Sequence, residues 1–120
     1  MKIKRIFIAL ALVYFAVLVG IFAFQRSFLY FPNNTYVAPE TVYAKSPLKE
    51  LAVKTEDGLD LKGWYAPAAS QPITVVYFHG NADSLQAAAP TAALYLADGY
   101  GFLIAEYRGY SKLPGTPTEK

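Results

Sequence analysis

The sequence predicts an α/β fold carried behind one apolar helix. Three observations predict it. Residues 6–24 form nineteen consecutive positions without a charge. Two later runs, Ile73–Phe78 and Phe102–Tyr107, consist mostly of β-branched, aliphatic and aromatic residues. Between them, Leu85–Asp98 is rich in Ala and Leu and of helical length. With a hairpin pattern upstream, the order hairpin, strand, helix, strand is the opening of a layered α/β sheet, with a right-handed crossover expected in the strand–helix–strand unit.

At 120 residues the chain has room for one small domain besides such a helix. It is 54% apolar and 17% charged, which excludes an intrinsically disordered chain. The absence of cysteine excludes a disulfide scaffold, a thiol nucleophile and an iron–sulfur site. A single histidine, His79, excludes a zinc site built on several histidines. Charge is split by position. Lys2, Lys4, Arg5 and Arg26 stand alone in the first 26 residues, whereas the remainder carries seven basic against nine acidic side chains. A mildly acidic body without a Lys/Arg cluster lacks the footprint of nucleic-acid binding, and no nucleic-acid partner is expected.

Each element follows from its residues. The Ile6–Phe24 run, as a helix, is about 28 Å long and matches a hydrocarbon core of about 30 Å. Lys2, Lys4 and Arg5 before it and Arg26 alone close after it predict a cytoplasmic N-terminus, with the rest of the chain across the membrane. Phe24, Phe28, Tyr30 and Phe31 suit an interfacial belt. The rival is a cleaved signal peptide, which would leave a small secreted protein. Its apolar core is usually shorter, about 7–15 residues, and no small-x-small site follows Phe24. The reading is therefore an anchor over residues 1–26, with the lipid bilayer as partner. Residues 27–50, broken by Pro32, Asn33, Asn34, Pro39 and Pro47, are expected to form a loosely packed connector. Residues 51–120 form the domain.

Leu51–Tyr65 reads as a hairpin about the Glu56-Asp57-Gly58 turn, with period-two alternation in its second arm. The unbroken apolar character of Ile73–Phe78 predicts a strand buried on both faces. Asp83 or Ser84 caps the next helix, Pro90 sits in its first turn or kinks it, and Gly99 ends it. Phe102–Tyr107 is the second buried strand, followed by a Gly/Pro-rich loop.

Three stretches could carry chemistry. His79-Gly80-Asn81-Ala82 lies directly after a strand and before a helix, where backbone N–H groups with a helix dipole behind them can hold an anion or a developing oxyanion. Gly80 permits close backbone approach, and Asn81 can brace the turn. The plain alternative is an ordinary strand-to-helix turn with a satisfied histidine. Arg108, in the Arg108-Gly109-Tyr110 loop at the C-terminal edge of the sheet, either contacts an anionic substrate or forms a structural ion pair with Glu106 or Asp83. We read the ion pair. Gly109-Tyr110-Ser111-Lys112-Leu113 departs from the nucleophile elbow G-x-S-x-G at its last position, and Pro114 and Pro117 prevent the immediate helix that the elbow needs. Ser111 is not read as a nucleophile. His79 is committed to its turn, so no Ser-His-acid triad and no catalytic residue are assigned within the chain. No P-loop or G-x-G-x-x-G occurs, and neither cofactor nor metal is expected.

The runs DGLDLKGWYAP (Asp57–Pro67), VVYFHGNAD (Val75–Asp83) and GYGFLIAEYRGYSKLPGTP (Gly99–Pro117), with Arg26-Ser27-Phe28-Leu29-Tyr30-Phe31-Pro32 after the apolar helix, resemble the N-terminal part of a membrane-anchored α/β-hydrolase of the serine-aminopeptidase-like branch. The resemblance implies the N-terminal half of an α/β-hydrolase sheet preceded by one transmembrane helix. It places His79 and Gly80 in the family's HG turn, with the backbone N–H of Asn81 or Ala82 as an oxyanion-hole donor, and Arg108, Gly109 and Tyr110 in its R-G-Y/F loop. Glu106 stands where Asp is commoner. The activity implied is hydrolysis of an ester, thioester or amide, with a small acyl substrate only in a full-length form, since the family's serine, acid and histidine come later in the chain. The expectation is a fragment lacking the triad, whose Thr74–Phe78 strand presents an open apolar edge prone to aggregation. The alternative is a non-catalytic, membrane-tethered interaction protein built on half a hydrolase scaffold.

Overall fold

The computed structural model describes residues 2–42 and 45–117. The chain divides into two compact units, one ending at Tyr30 and the other beginning at Phe31. The first is a single helix, α1 (Lys2–Leu29), without a buried residue and with a mean hydropathy of 2.9 over its most apolar 18-residue window. It is long and apolar enough to cross a bilayer. It runs three residues into the stretch read as connector. Gln25 to Leu29 contain no helix breaker, and the first proline, Pro32, also disfavours helix at the residue before it. The N–H of Tyr30 still donates to the carbonyl of Arg26 (2.9 Å).

The second unit holds a short helix α2 (Pro39–Val42), strands β1 (Lys49–Lys54), β2 (Asp60–Ala66) and β3 (Thr74–Tyr77), helix α3 (Leu85–Ala97) and strand β4 (Gly101–Ala105). The strands form one mixed sheet in the order β1-β2-β4-β3. β1 and β2 are the expected hairpin, pairing Val53 with Leu61 and Lys49 with Tyr65. Gly58 takes the left-handed conformation of its turn (φ 84°). β2 runs antiparallel to β4, pairing Trp64 with Ile104, and β3 runs parallel to β4, pairing Thr74 with Gly101. Helix α3 joins those two parallel strands as the crossover.

The core lies between the sheet and α3. Leu85, Ala88, Ala89 and Ala92 recur at helical spacing, and all four are buried. Their small side chains let the helix lie close against Trp64, Ala66, Phe102 and Ile104. Ser84 is the N-cap, its hydroxyl accepting from the N–H of Ala87, and Gly99 follows the C-terminus with φ 84°. Pro90 sits at the sixth helical position, inside the helix.

Two expectations are corrected. The connector expected over residues 27–50 is not loosely packed at Pro39 and Leu48, which are fully buried, and Leu48 belongs to the core cluster. Nor is β3 buried on both faces. Val75 and Tyr77 pack against the core, while Thr74 and Val76 are exposed. The reason is position: β3 is the edge strand of the sheet formed by the described residues, and α3 covers one face of that sheet. Ile73, Val76 and Phe78 are consequently 54%, 52% and 66% exposed, the open apolar edge that the sequence predicts.

Candidate functional site

Strand β3 ends at Tyr77, and the chain turns through 78–84 before α3 begins. The turn is built from its carbonyls. The hydroxyl of Tyr107 donates to the carbonyl of His79 (2.8 Å), and that of Tyr110 donates to the carbonyl of Asn81 (2.6 Å). The carbonyl of Gly80 accepts from the N–H of Asp83 (3.0 Å) and faces His79 Nδ1 at 3.0 Å. The carbonyl of Asn81 also accepts from the N–H of Phe31 (3.2 Å). A trans peptide is planar, so each N–H points opposite to the carbonyl that precedes it. Fixing the carbonyls of Gly80 and Asn81 on the inner side therefore turns the N–H groups of Asn81 and Ala82 outward. Among the described residues neither N–H has an acceptor, and both residues are exposed. Gly80 adds open space, since a Cβ there would meet nothing within 4 Å. Neither its φ nor packing within the chain demands glycine.

Behind the turn lies a sealed polar cluster. His79 is 4% exposed, Glu106 2% and Ser111 1%. His79 Nε2 lies 2.5 Å from Glu106 Oε1, which also accepts from the N–H of Tyr107 (3.1 Å). Ser111 Oγ donates to Glu106 Oε2 (2.6 Å), and the Ser111 N–H donates to both the carbonyl and Oδ1 of Asn33 (2.9 and 2.8 Å). Rings close the box: His79 stands 4.4 Å from Tyr107 and 5.6 Å from Tyr110, centre to centre. A carbonyl at Nδ1 and a carboxylate at Nε2 both accept, so this geometry calls for a donor on each ring nitrogen, the imidazolium form. Burial opposes that charge, but the hydrogen bond to Glu106, the Gly80 carbonyl and the charges of Glu106 and Asp83 outweigh it and raise the His79 pKa above its ordinary value. Burial, with the neighbouring Tyr110 and Glu106, raises the Tyr107 hydroxyl as well, so it remains a donor at neutral pH.

The structure thus gathers His79, Ser111 and Glu106, but with the acid in the middle. In a hydrolytic triad the histidine stands between serine and acid and keeps a lone pair toward the serine. Here His79 is engaged at both nitrogens, and Ser111 Oγ is spent on the carboxylate. Ser111 and Lys112 have positive φ (50° and 60°), so the loop turns sharply at the serine, yet that serine points inward.

The expected partner of Arg108 is corrected. Its guanidinium forks onto Asp57 at the hairpin tip (Nη1–Oδ2 2.9 Å, Nη2–Oδ1 3.4 Å) rather than onto Glu106 or Asp83. Glu106 is turned inward, and Asp83 Oδ1 accepts from the N–H of Ser84 (2.8 Å). A hydrogen bond from Thr55 and then the Arg108 contact hold the Asp57 carboxyl below its usual range. Gly109 (φ 77°) donates its N–H to the carbonyl of Pro114 (3.2 Å), closing the loop, and Tyr110 is 1% exposed. The sequence pointed to the turn and the loop but not to Asn33 or to the bridging role of Glu106. The one available signal was an acid at the end of an apolar strand. A separate cavity of about 630 Å³, bounded by residues 45–48 and α3, shares no residue with this site.

Comparison with known proteins agrees with the fold. No protein-family model matches the chain. It is 34% identical over 112 residues to protein Rv2307c of Mycobacterium tuberculosis, covering 92% of this chain and 40% of that protein. It is 28% identical over 98 residues to protein YfhR of Escherichia coli, covering 78% and 33%. The chain therefore spans well under half the length of these relatives. Among solved structures it resembles the Pyrococcus furiosus esterase Pf2001, with TM-score 0.59 and 24% identity over 76% of this chain and 36% of the esterase. A second crystal form gives 0.58 and 25%. The mixed sheet behind an apolar helix has the fold of part of an α/β-hydrolase-like esterase.

Proposed function

We propose that the chain is the membrane-anchored N-terminal portion of a serine hydrolase of the serine-aminopeptidase-like branch, acting on esters, thioesters or amides. One observation carries the reading: the outward, unpartnered N–H groups of Asn81 and Ala82 beside open space at Gly80, on a fold shared with an esterase. Attack on an acyl carbonyl places negative charge on its oxygen. Fixed donors aimed at that oxygen stabilise the transition state without reorganising, and one such donor is worth about 10²–10³ in rate. Tyr107 and Tyr110 would supply the fixity by holding the carbonyl side of the turn, with Glu106 holding the His79 ring behind it. The nucleophile, base and acid would lie outside the span shared with the relatives. Helix α1 would be the anchor, with Lys2, Lys4 and Arg5 on the cytoplasmic side and the domain across the membrane.

The engagement of both His79 nitrogens supports a second reading, a tethered, non-catalytic interaction protein on half a hydrolase scaffold. The protein encoded by the reading frame continued past Lys120 decides between them. In the first reading a fluorophosphonate labels a serine outside residues 1–120, and Ala82→Pro, which removes one donor, lowers kcat about 10²–10³-fold. Esterase activity of residues 1–120 alone that is abolished by Ser111→Ala would refute it. A frame ending at Lys120, with a stable 13.2 kDa membrane product, establishes the second.

A further inference from the structure

We propose that the 79–82 turn works in the headgroup layer of the bilayer and takes an amphiphilic acyl substrate from the membrane rather than a solute from the water. The inference rests on the anchored-hydrolase reading above. It starts from one hydrogen bond, from the N–H of Phe31 to the carbonyl of Asn81 (3.2 Å). Helix α1 ends at Leu29, so Tyr30 alone separates the helix from the residue bonded to the turn.

The apolar run ends at Phe24. The five further helical residues to Leu29 rise about 7.5 Å. Two residues of extended chain add at most about 7 Å. Phe31 therefore lies within about 15 Å of the hydrocarbon boundary, of which the headgroup layer itself occupies about 5–8 Å. This bound belongs to the covalent chain and holds for any orientation of the helix. The strap is fastened twice, since the N–H of Ser111 donates to Asn33 two residues after the Phe31 bond. Carrying the turn beyond that reach would break both fastenings.

The exposed side chains agree. Phe31 is 57% exposed. Phe78, directly before His79, is 66% exposed. Aromatic side chains of this kind are at home in the interface. Outward N–H groups for a carbonyl oxygen, with exposed phenylalanines at Phe31 and Phe78, suit a molecule that carries an acyl group on an apolar tail.

The chain has no cysteine, so one introduced thiol labels uniquely. Gly80→Cys and Ala82→Cys place a bimane fluorophore on the turn. Gln71→Cys places it before β3, at the other end of that strand. Each full-length variant is reconstituted into phosphatidylcholine vesicles, recovered by flotation, and quenched with phosphatidylcholine bearing a nitroxide on its headgroup. Burial of Trp64 in each unlabelled variant, read from its emission, reports folding. Quenching several-fold stronger at positions 80 and 82 than at 71 is expected. Equal quenching at all three positions, or stronger quenching at 71, overturns the proposal. Failure to float overturns it by removing the anchor. Floating protein with unquenched turn labels overturns the placement while leaving the hydrolase reading intact. Conversely, an Ala82→Pro variant of the continued protein with full activity refutes the oxyanion role and leaves the quenching pattern unchanged.

Discussion

Replacing Glu106 by Gln tests whether the buried cluster behind the turn is held by charge or by shape. The carboxylate is 2% exposed and takes its side-chain hydrogen bonds from His79 Nε2 at 2.5 Å and Ser111 Oγ at 2.6 Å. Gln keeps the shape. Its oxygen can still accept from His79 and from the N–H of Tyr107, and the Ser111 hydroxyl can rotate to accept from its amide. What is lost is charge assistance on two bonds, each worth about 1.5–3 kcal/mol with charge and about 0.5–1.5 without. The net loss is about 2 kcal/mol. At about 1 kcal/mol per M urea for a domain of this size, the unfolding midpoint falls by about 2 M. Glu106→Ala is harsher. It strands a buried imidazolium at a cost of about 3–5 kcal/mol, much of the stability of a small domain, so that variant is unfolded or nearly so without urea. The pH dependence has a definite sign. The pKa of His79 is raised, so its contribution is fully present below about 6.5, the unfolded value, and fades as pH rises through the folded value. Gln removes the chief raising partner. The gap between wild type and Glu106→Gln is therefore widest near pH 6 and narrows in alkali. The assay is urea unfolding of the full chain in detergent micelles, followed by Trp64, the single tryptophan, which is fully buried. An unchanged midpoint for Glu106→Gln, or a gap that widens with pH, would refute the charge-held cluster.

Three further outcomes use the same unfolding assay or the same micelles. Gly99→Ala forces an L side chain to φ 84° and places its Cβ 1.9 Å from Ser70 Oγ, which costs about 1–3 kcal/mol; Gly80→Ala, with nothing within 4 Å, stays within about 0.5 kcal/mol of wild type. Ser84→Ala removes the α3 cap, whose bond to Ala87 N is long at 3.4 Å, so the loss falls near the low end of the usual range, about 0.5–1 kcal/mol. Val76→Lys puts a charge on the exposed side of the β3 edge; light scattering of the full chain in micelles should show less self-association with the midpoint unmoved, and unchanged association would show that the edge is not the sticking surface.

What could be read from the sequence was local. The hairpin turn, a helix cap at Asp83 or Ser84, the Gly99 stop and the two parallel strands each follow from chemistry within a few residues. What could not be read was who meets whom across the chain. Asn33 and Ser111 are 78 positions apart, and Arg108 and Asp57 are 51 apart. No spacing rule reaches that far. Glu106 shows why the gap matters. As a letter it is one acid at the end of an apolar strand, equally suited to pairing with Arg108 on the surface. Only the fold turns it inward, where the Tyr107 and Tyr110 rings and the Asn33 strap enclose it, and there, among the described residues, its charge meets one partner of opposite sign, His79. The β3 strand makes the same argument from the other side. An apolar residue at nearly every position asks for cover on both faces and both edges. The described residues supply α3 on one face and β4 on one edge, leaving Val76 and Phe78 exposed. Hydropathy thus reports what a strand needs buried, whereas topology decides what is buried, and the two disagree along the strand that leads into the turn with the outward N–H groups.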